Sequence, residues 1–432
     1  MILAYGNTFP SSEQDKLLAE LENKINLTLS NKKLDIQKVI AAVNTLSQKV
    51  SSGEYKKLIS EIDLENIDSY IDQAIKLLSR KNIEYKIKTE LGENYFEPYE
   101  TTPPFDNFKK IIVQAKPLGT IFHIAAGNMD ILPAFSVVEG LLTGNINILK
   151  LPQADNGLTI KIMLELIKIE PELTDFIYVF DTPSTDITAM RKMADMADGI
   201  VVWGSEAAIS AVRNLAPTGA KIIEWGHKLS FAYISDYKNN INELIDLAQH
   251  IINTRQLLCS SCQTIYLDTK SIDEFYDFCN VFLPILENAA NKNPVTEIGS
   301  VAEITLRRYN DSLEKALTGN STNEEKTFQG NLCNLIASTN STLELSYMFG
   351  SCYVKRLPRK NIINELRSKK GYLQTVGLIC SENERETLTQ IFINCGLTRI
   401  TRAGSMSDVF SGEAHDGEYP LRRYTKIVNI EK

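Results

Sequence analysis

Apolar residues recur at helical spacing in two segments of the first hundred residues, 36–50 and 67–78. Residues three and four positions apart lie on one face of a helix, so the spacing predicts two amphipathic helices. Pro98, Pro103 and Pro104 follow in a polar, turn-rich passage, and the residue before a proline favours extended backbone. The pattern therefore predicts an N-terminal helical segment over residues 1–100 that packs on the next domain.

From residue 110 onward, apolar runs of strand length alternate with amphipathic runs of helix length. The predicted strands are 119–126, 146–150, 176–180, 199–203 and 221–225, and the predicted helices are 132–142, 158–169, 185–197 and 206–215. Such alternation with short links is typical of a parallel, doubly wound sheet with helices on both faces. Ligands bind at the carboxyl ends of the strands in these sheets, so Asn128, Lys150, Gly204 and Glu224 are expected at the functional edge.

The chain is expected to divide into four parts, because a second α/β segment follows and the run 421–430 alternates like a strand. These parts are the helical segment 1–100, a sheet domain 101–240, a second α/β domain 241–402 and a tail 403–432. No partner for the tail strand is evident in its own chain, and an unpaired strand edge invites pairing across subunits. We therefore expect a homo-oligomer with residues 424–430 as its oligomerisation strand.

Composition and charge narrow the classes of function. The 432 residues include 46 Lys+Arg against 54 Asp+Glu, a net charge of −8 with no basic stripe, so nucleic acid is not expected as a partner. The N-terminus lacks the features of a secretory signal, and the most apolar stretch, 111–151, is interrupted by polar and charged residues. We therefore expect a cytoplasmic protein with no membrane span. The seven cysteines are an odd number, which favours reduced thiols over a disulfide framework.

The common nucleotide-binding fingerprints, G-x-G-x-x-G after a strand and the P-loop, are absent. A tight turn leads instead into the predicted strand 146–150, which delivers Lys150 at its end, where a lysine could hold a ribose or a phosphate. The turn Trp203-Gly204-Ser205 opens a helix whose first amides could meet a pyrophosphate. Each motif also has an ordinary structural interpretation, a solvated lysine in the first case and turn chemistry in the second.

The passage from Thr254 to Gln263 is the most suggestive one for covalent chemistry. Cys259 and Cys262 flank two serines in a polar turn before a predicted strand, where a thiol can be exposed and its pKa lowered. A zinc site needs a second pair of ligands and a thioredoxin-like pair opens a helix, so neither fits, and no metal site is expected. A nucleophile and inert, partly buried cysteines are the remaining interpretations. We expect His123 and His250 to be packed in the interior, whereas His227 and His415 lie in predicted turns.

In their order along the chain these passages resemble the aldehyde dehydrogenase superfamily, and most closely its acyl-CoA reductase branch, the LuxC type. Six collinear runs carry the resemblance, namely 117–128, 142–152, 203–209, 224–231, 255–263 and 422–428. The Cys-Ser-Ser-x-Gln and Gly-His-Lys-x-Ser-Phe passages point to the reductase branch specifically. The resemblance implies an α/β fold with a nucleotide-binding, doubly wound domain, an α/β catalytic domain and a C-terminal oligomerisation strand.

The resemblance also implies roles for individual residues. Cys259 corresponds to the nucleophile, Asn128 to the side-chain amide that holds an oxyanion, and Glu224 to the family's catalytic acid. The implied cofactor contacts are Ala125, Ala126, Lys150, Gln153, Gly204, Ser205 and Gly226. Gln153 stands where NAD-preferring members carry a carboxylate, so NADPH is the implied cofactor.

Three further positions depart from the family pattern. Cys262 stands where the branch usually has proline, and His227 replaces the second glycine of the Glu-x-Gly-Gly motif. Residues 347–350, Tyr-Met-Phe-Gly, stand where other members have Glu-x-Phe-Gly, so the contact with the nicotinamide ribose differs.

The implied activity is the NADPH-dependent reduction of a fatty acyl thioester, acyl-CoA or carrier-bound, to an aldehyde through an acyl-enzyme on Cys259. A hydrolytic NAD(P)-dependent aldehyde dehydrogenase needs a base such as Glu224 to activate water, and this alternative stays open. A cysteine acyltransferase or thioesterase without hydride transfer and a non-catalytic partner subunit are further alternatives. The implied partners are the acyl thioester, an acyl-protein synthetase and further copies of the chain.

Overall fold

The computed structural model describes residues 1–56, 59, 67–106, 108–125, 131–153, 155, 157–295 and 325–431, with single positions between 299 and 317. The chain forms two compact units. The first unit comprises Met1–Gly226 together with Phe410–Lys432, and the second comprises His227–Val409. Two separate segments of the chain therefore build the first unit.

Strands and helices alternate along most of the chain. The strands are β1 (Ile2–Ala4), β2 (Asn7–Phe9), β3 (Tyr99–Thr101), β4 (Ile111–Pro117), β5 (Thr120–Ile124), β6 (Ile146–Lys150), β7 (Ile177–Phe180), β8 (Gly199–Gly204), β9 (Lys221–Gly226), β10 (Leu229–Ile234), β11 (Cys262–Leu267), β12 (Glu325–Gln329), β13 (Asn334–Ser338), β14 (Ser351–Arg356), β15 (Leu373–Ile379), β16 (Arg399–Arg402) and β17 (Thr425–Glu431). The helices are α1 (Gln14–Asn31), α2 (Ile36–Ser51), α3 (Ile67–Leu77), α4 (Arg80–Leu91), α5 (Leu132–Leu142), α6 (Leu158–Ile169), α7 (Ile187–Asp195), α8 (Glu206–Leu215), α9 (Ile241–Asn253), α10 (Ile272–Lys292), α11 (Ile362–Leu366), α12 (Glu382–Cys395) and α13 (Pro420–Arg423). No helix in the described part of the chain combines the length and the apolar character that crossing a membrane requires.

Five parallel strands form the centre of the first sheet, in the order β7-β6-β5-β8-β9. The hairpin β1–β2 extends the sheet beyond β7, through an antiparallel bridge between Leu3 and Val179. From β5 the chain adds β6 and β7 on one side and then returns to add β8 and β9 on the other. This reversal of direction confirms the doubly wound arrangement. Every residue of β5, β6 and β7 is buried, as expected for strands that are covered on both faces.

The N-terminal helices pack into the core of the first unit. Leu21 of α1 and Val39 of α2 are almost completely buried in the same hydrophobic cluster as the strand residues Ile148 and Val179. Helix α2 corresponds to the first of the two helices that the apolar spacing predicts. Its apolar face therefore stabilises the helix by packing rather than by intrinsic propensity alone.

The second unit contains another largely parallel sheet, in the order β12-β13-β14-β11-β10-β15-β16. Only the pair β12–β13 is antiparallel among these described strands. Strand β10 belongs to this sheet, so the second unit begins at His227. The sequence pattern had placed the boundary between the two α/β domains later, after residue 240. Ring contacts of Phe392 with Phe231 and Tyr233 join α12 to β10.

Strand β17 lies in a third sheet of three strands, in the order β17-β4-β3. It pairs antiparallel with β4 over seven residues, from Thr425 opposite Pro117 to Glu431 opposite Ile111. The expectation that this strand has no partner in its own chain is therefore wrong. Its partner lies far upstream in the sequence, and alternation within a strand does not tell which other strand it pairs with. The homo-oligomer remains a prediction.

Candidate active site

Lys150 ends strand β6 at the carboxyl edge of the first sheet and is buried, with 4% of its surface exposed. Its Nζ donates a 2.8 Å hydrogen bond to Ser184 Oγ. Burial lowers the pKa of this ammonium group below its ordinary value. No described carboxylate forms an ion pair with Lys150, and burying an ammonium group is unfavourable unless polar atoms compensate its charge. The residue is therefore not the solvated lysine of the alternative interpretation.

The carboxyl ends of β5 and β8 flank the point where the chain changes direction across the sheet, which is the usual ligand crevice of doubly wound folds. Ala125 follows β5 and is buried, and Gly204 ends β8 with a φ of 159°. Ser205 caps α8, because its Oγ accepts a hydrogen bond from the Ala208 amide at 3.4 Å. The first amides of α8 therefore lie at this edge, where an anion can be bound.

Two other predicted cofactor contacts also lie at strand ends of the first sheet. Gln153 follows β6 and its side chain is exposed, and Gly226 is the last residue of β9. Ala126 and Asn128 lie outside the described residues.

Glu224 lies in β9, and 26% of its side chain is exposed. Both of its carboxylate oxygens accept hydrogen bonds from Arg213, which lies in the last turn of α8. Arg213 Nε lies 2.5 Å from Glu224 Oε1, and the second guanidinium nitrogen lies 2.7 Å from Oε2. Sequence reasoning missed Arg213, because nothing in the local pattern of a helix indicates which strand residue its last turn contacts.

An aromatic cluster that the sequence did not suggest also lies at the carboxyl ends of β8 and β9. The rings of Trp203 and Trp225 have centroids 5.5 Å apart, and the His415 ring lies 5.0 Å and 4.9 Å from them. His415 belongs to the segment 410–432, which completes the first unit. This C-terminal segment therefore contributes a side chain to the carboxyl edge of the sheet.

The two histidines that were expected to be packed are buried. His123 makes ring hydrogen bonds to Ser136 Oγ at 2.7 Å and to Asn147 Oδ1 at 3.0 Å. Burial lowers the pKa of both His123 and His250 to about 4, so both are neutral at physiological pH. Among the described His, Cys, Asp and Glu residues, no group of three or more could hold a metal ion.

Cys259 lies in the second unit, in the turn between α9 and β11, and is half-buried. Its backbone carbonyl accepts a 2.6 Å hydrogen bond from Ser230 Oγ on β10, and Ser230 Oγ accepts one from the Thr375 amide on β15 at 3.1 Å. The next residue, Ser260, is hydrogen bonded through its side chain to Ser407 Oγ at 2.8 Å. The turn is therefore anchored to two neighbouring strands and to the segment after β16.

Cys262 is less accessible than Cys259. It is the first residue of β11 and has no exposed surface. Burial raises the pKa of its thiol to about 12, so the thiolate is scarcely populated at neutral pH. Its backbone amide donates to His250 Nε2 at 3.3 Å. No disulfide joins any of the seven cysteines, all of which lie in the described part of the chain.

Two strained turns meet beside the Cys259 turn. Arg255 and Gln256 have φ values of 49° and 62°, and Met348 and Phe349 have values of 64° and 47°. Residues other than glycine adopt this left-handed conformation at a cost of about 1 kcal/mol or more each, and such residues concentrate at functional sites. The Phe349 amide donates to the Arg255 carbonyl at 3.1 Å, which joins the two turns directly.

The buried side chain of Gln256 links the two turns by hydrogen bonds. Its Nε2 donates to the Cys262 carbonyl and to Ser346 Oγ, each at 3.0 Å, and its Oε1 accepts from the Gly350 amide at 3.0 Å. Gln263 completes the network, since its Oε1 accepts from Ser346 Oγ at 2.7 Å and its Nε2 donates to the Gln256 carbonyl at 2.8 Å. The segment 347–350 is therefore brought to the Cys259 turn, although its tyrosine departs from the family pattern.

These features define an aldehyde dehydrogenase fold. The structure is similar to aldehyde dehydrogenase 21 of Physcomitrella patens in complex with succinate, with a TM-score of 0.72 and 12% identity over 98% of this chain and 91% of that chain. It is also similar to the glyceraldehyde-3-phosphate dehydrogenase of Methanocaldococcus jannaschii complexed with NADP, with a TM-score of 0.68 and 14% identity over 99% of this chain and 95% of that chain.

Within this class, the chain belongs to the acyl-CoA reductase (LuxC) family, whose model matches residues 31–427. The long-chain acyl-protein thioester reductase of Photorhabdus luminescens is 24% identical over 429 residues, covering 93% of this chain and 83% of the relative. The protein of the same name from Photobacterium phosphoreum is 25% identical over 417 residues, covering 92% and 81%. The chain is an oxidoreductase of the aldehyde dehydrogenase type, and the resemblance inferred from the six sequence runs is confirmed.

Proposed function

We propose that the chain reduces a long-chain acyl thioester to the corresponding aldehyde, with Cys259 as the nucleophile and NADPH as the source of hydride. The observation that carries the proposal is that Cys259 is half-buried in an anchored turn, whereas the other six cysteines are buried. Family membership and the name of the relatives, long-chain acyl-protein thioester reductase, support the substrate class. An acyl-protein or acyl-CoA is therefore the proposed donor, and an acyl-protein synthetase is the proposed partner that would supply the former.

The residues at the carboxyl edge of the first sheet fit a nicotinamide dinucleotide. Buried Lys150, for which no described carboxylate is a partner, would hold a ribose or phosphate oxygen, and the amides behind Ser205 would hold the pyrophosphate. Ala125 and Gly226 would line the same crevice, and the neutral Gln153 would not repel a 2′-phosphate. The bound nicotinamide would supply hydride to the acyl carbon.

Cys259 would carry the acyl group through the reaction. Its thiolate attacks the thioester carbonyl, the bond between that carbon and the donor sulfur breaks, and the donor leaves as its thiolate. The Cys259 backbone amide, with Asn128 as the proposed second donor, stabilises the negative charge on the carbonyl oxygen. After hydride addition the bond to Cys259 Sγ breaks, so the aldehyde leaves and the thiolate is restored.

The assignment of the nucleophile can be tested with Cys259→Ala and Cys262→Ala, each incubated with a labelled long-chain acyl-CoA. We expect Cys262→Ala to retain the covalent label and Cys259→Ala to lose it, because only Cys259 is accessible. Label retained by Cys259→Ala and lost by Cys262→Ala would reverse the assignment.

The reaction itself can be tested by mixing the protein with acyl-CoA or acylated carrier protein and NADPH. We expect aldehyde to form in step with NADPH oxidation. Release of free fatty acid without NADPH oxidation would indicate a thioesterase instead, and transfer of the acyl group to another thiol would indicate an acyltransferase. Oxidation of added aldehyde to the acid, in the absence of any acyl thioester reduction, would indicate a hydrolytic dehydrogenase.

A further inference from the structure

The second unit contains a cavity of about 220 Å³ at the carboxyl ends of three adjacent parallel strands, β11, β14 and β13. The polar residues that line it end or follow these strands, namely Thr269, Lys270, Thr339, Ser341, Arg356 and Asn361. The Cys259 turn precedes β11 and therefore lies at the opposite, amino edge of the same sheet. The cavity is thus separate from the candidate nucleophile, and it lies at the edge where parallel sheets commonly bind ligands.

The guanidinium group of Arg356 is only partly satisfied by the protein. Its Nη1 donates a 2.7 Å hydrogen bond to the backbone carbonyl of Lys270. Its Nε is buried and has no hydrogen-bond partner in the described part of the chain. A buried cationic N–H without an acceptor is unfavourable, because nothing replaces the water that it has lost.

The carboxylates near this edge are engaged by other groups. Asp268 accepts a 3.0 Å hydrogen bond from Arg359 Nε, and Glu274 accepts one of 2.5 Å from a threonine hydroxyl of the cavity lining. Among the described residues, no carboxylate forms an ion pair with Arg356 or with Lys270, whose side chain is exposed. The cavity therefore presents two cationic side chains that have no direct carboxylate partner.

We propose that this cavity binds a phosphate group, with Arg356 and Lys270 as its charged ligands. A guanidinium can donate from two nitrogens to phosphate oxygens, and a lysine adds a compact positive charge. A phosphate oxygen also supplies the acceptor that Arg356 Nε lacks. Thr339 and Ser341 line the same cavity, and their hydroxyl groups are further potential donors.

The size of the cavity limits the ligand. Its volume of about 220 Å³ is below the roughly 300–1,000 Å³ of pockets for drug-sized molecules. It is nevertheless several times the roughly 30 Å³ that one water molecule occupies in the liquid. The ligand is therefore inorganic phosphate or the phosphate end of a small monoester. This inference goes beyond the proposed function and does not depend on it.

Titration calorimetry with inorganic phosphate tests the site in the intact chain. We expect Arg356→Gln to weaken binding about tenfold or more, because a charged hydrogen-bond donor is lost. Lys270→Gln should weaken it about threefold, since solvent screens an exposed charge. Arg356→Lys should fall between wild type and Arg356→Gln, because an ammonium cannot donate from two nitrogens.

Two control variants locate the binding. Arg402→Gln removes an exposed arginine of the same unit, which pairs with Glu243 at 2.6 Å, and should bind phosphate as wild type does. Lys150→Gln should also retain this binding, which separates the cavity from the candidate cofactor edge of the first unit. Loss of binding in Lys150→Gln, with normal binding in Arg356→Gln, would overturn the inference.

A second probe, glycerol 3-phosphate, identifies the kind of ligand. Tighter binding of this monoester than of inorganic phosphate would support the site and indicate an organic phosphate, whereas tighter binding of the inorganic ion would support a site for free phosphate. Failure of wild type to bind either probe at millimolar concentration would overturn the inference. If Arg356→Gln does not fold, Lys270→Gln decides the question, and an unchanged affinity in that exposed-site variant would overturn the inference as well.

Discussion

The side chain of Ser230 donates a 2.6 Å hydrogen bond to the backbone carbonyl of Cys259. Ser230 has no exposed surface, and it lies at the start of β10 within the Gly-His-Lys-x-Ser-Phe passage that distinguishes the reductase branch. A residue from a passage that indicated only the reductase branch therefore supports the turn that carries the candidate nucleophile.

Ser230→Ala should weaken both the fold and the acylation step. The substitution leaves the Cys259 carbonyl and the Thr375 amide without this partner, and loss of such buried hydrogen bonds costs about 1–2 kcal/mol. A turn that is no longer held should also slow acylation by about tenfold, because the nucleophile is less well oriented. Urea unfolding and the rate of labelling by acyl-CoA measure the two effects. Ser210→Ala, at an exposed position of α8, should change neither.

Substitutions of Gln256 separate the contribution of its hydrogen bonds from that of its backbone strain. Gln256→Ala removes the contacts to Cys262, Ser346 and Gly350 and should destabilise the protein by about 2–4 kcal/mol. Gln256→Gly removes the same contacts but relieves the strain at a φ of 62°, so it should be less destabilising than Gln256→Ala by about 1 kcal/mol. Chemical denaturation measures both, with Gln48→Ala on exposed surface as control. An alanine variant as stable as the glycine variant would show that the left-handed turn stores no strain.

The buried histidines predict a loss of stability in acid. The pKa of His123 and of His250 is about 4 in the folded protein because of burial, whereas the ordinary value is 6.5. Between pH 4 and pH 6.5 the unfolded chain binds more protons than the folded chain at these histidines. The free energy of unfolding is therefore unaffected by them above pH 6.5 and falls as the pH drops towards 4. At about pH 5 we expect a loss of at most about 2 kcal/mol for each histidine. Unfolding free energies across this range test the expectation, and imidazole NMR signals of both residues that titrate near neutrality would contradict it.

The outer edge of β17 predicts where subunits associate. In the described part of the chain β17 pairs only with β4, and Ile427 and Ile430 are 56% and 47% exposed. Ile427→Lys should dissociate the expected homo-oligomer with little loss of stability, because a charged side chain opposes strand pairing at an open edge. Deleting residues 425–431 should also destabilise the first unit, since seven residue pairs with β4 are lost. Light scattering at micromolar concentration gives the mass, and a monomeric wild type would refute the predicted oligomer.

Gln153 is expected to set the choice between the two nicotinamide cofactors. A carboxylate at this position would accept hydrogen bonds from the 2′-hydroxyl of NADH and repel the 2′-phosphate of NADPH. Wild type should therefore prefer NADPH by roughly tenfold, and Gln153→Glu should weaken NADPH far more than NADH. The ratio of kcat/KM for the two cofactors in both proteins is the measurement. A wild type that favours NADH, or a ratio that the substitution leaves unchanged, would place the ribose site elsewhere.

The sequence predicted the local features of the fold better than its distant contacts. The alternation of apolar runs was enough to predict the parallel sheets, because strand and helix periodicity are properties of neighbouring residues. The pairing of β17 with β4 and the contact of segment 347–350 with Gln256 join residues that are far apart in the sequence. No local pattern encodes such partners, and the same holds for Arg213 and Glu224.

For the candidate site as well, local features could be predicted from the sequence and contacts between distant residues could not. The cap at Ser205 and the partial exposure of Cys259 could be predicted from residue type and position, since caps and polar turns have local signatures. The role of Cys259 as the nucleophile stays a prediction. That Cys262 is fully buried could not be deduced, because its environment is built by neighbouring strands of the sheet.

The division of the chain into units has a consequence for its synthesis. The second unit is one continuous stretch, 227–409, whereas the first needs the segment 410–432 to supply β17 and His415. A ribosome releases the chain from its N-terminal end, so the second unit can complete its fold while the first still lacks its last strand. One edge of strand β4 therefore stays unpaired until the segment that contains β17 has been synthesised, and an unpaired strand edge in a nascent chain invites incorrect pairing.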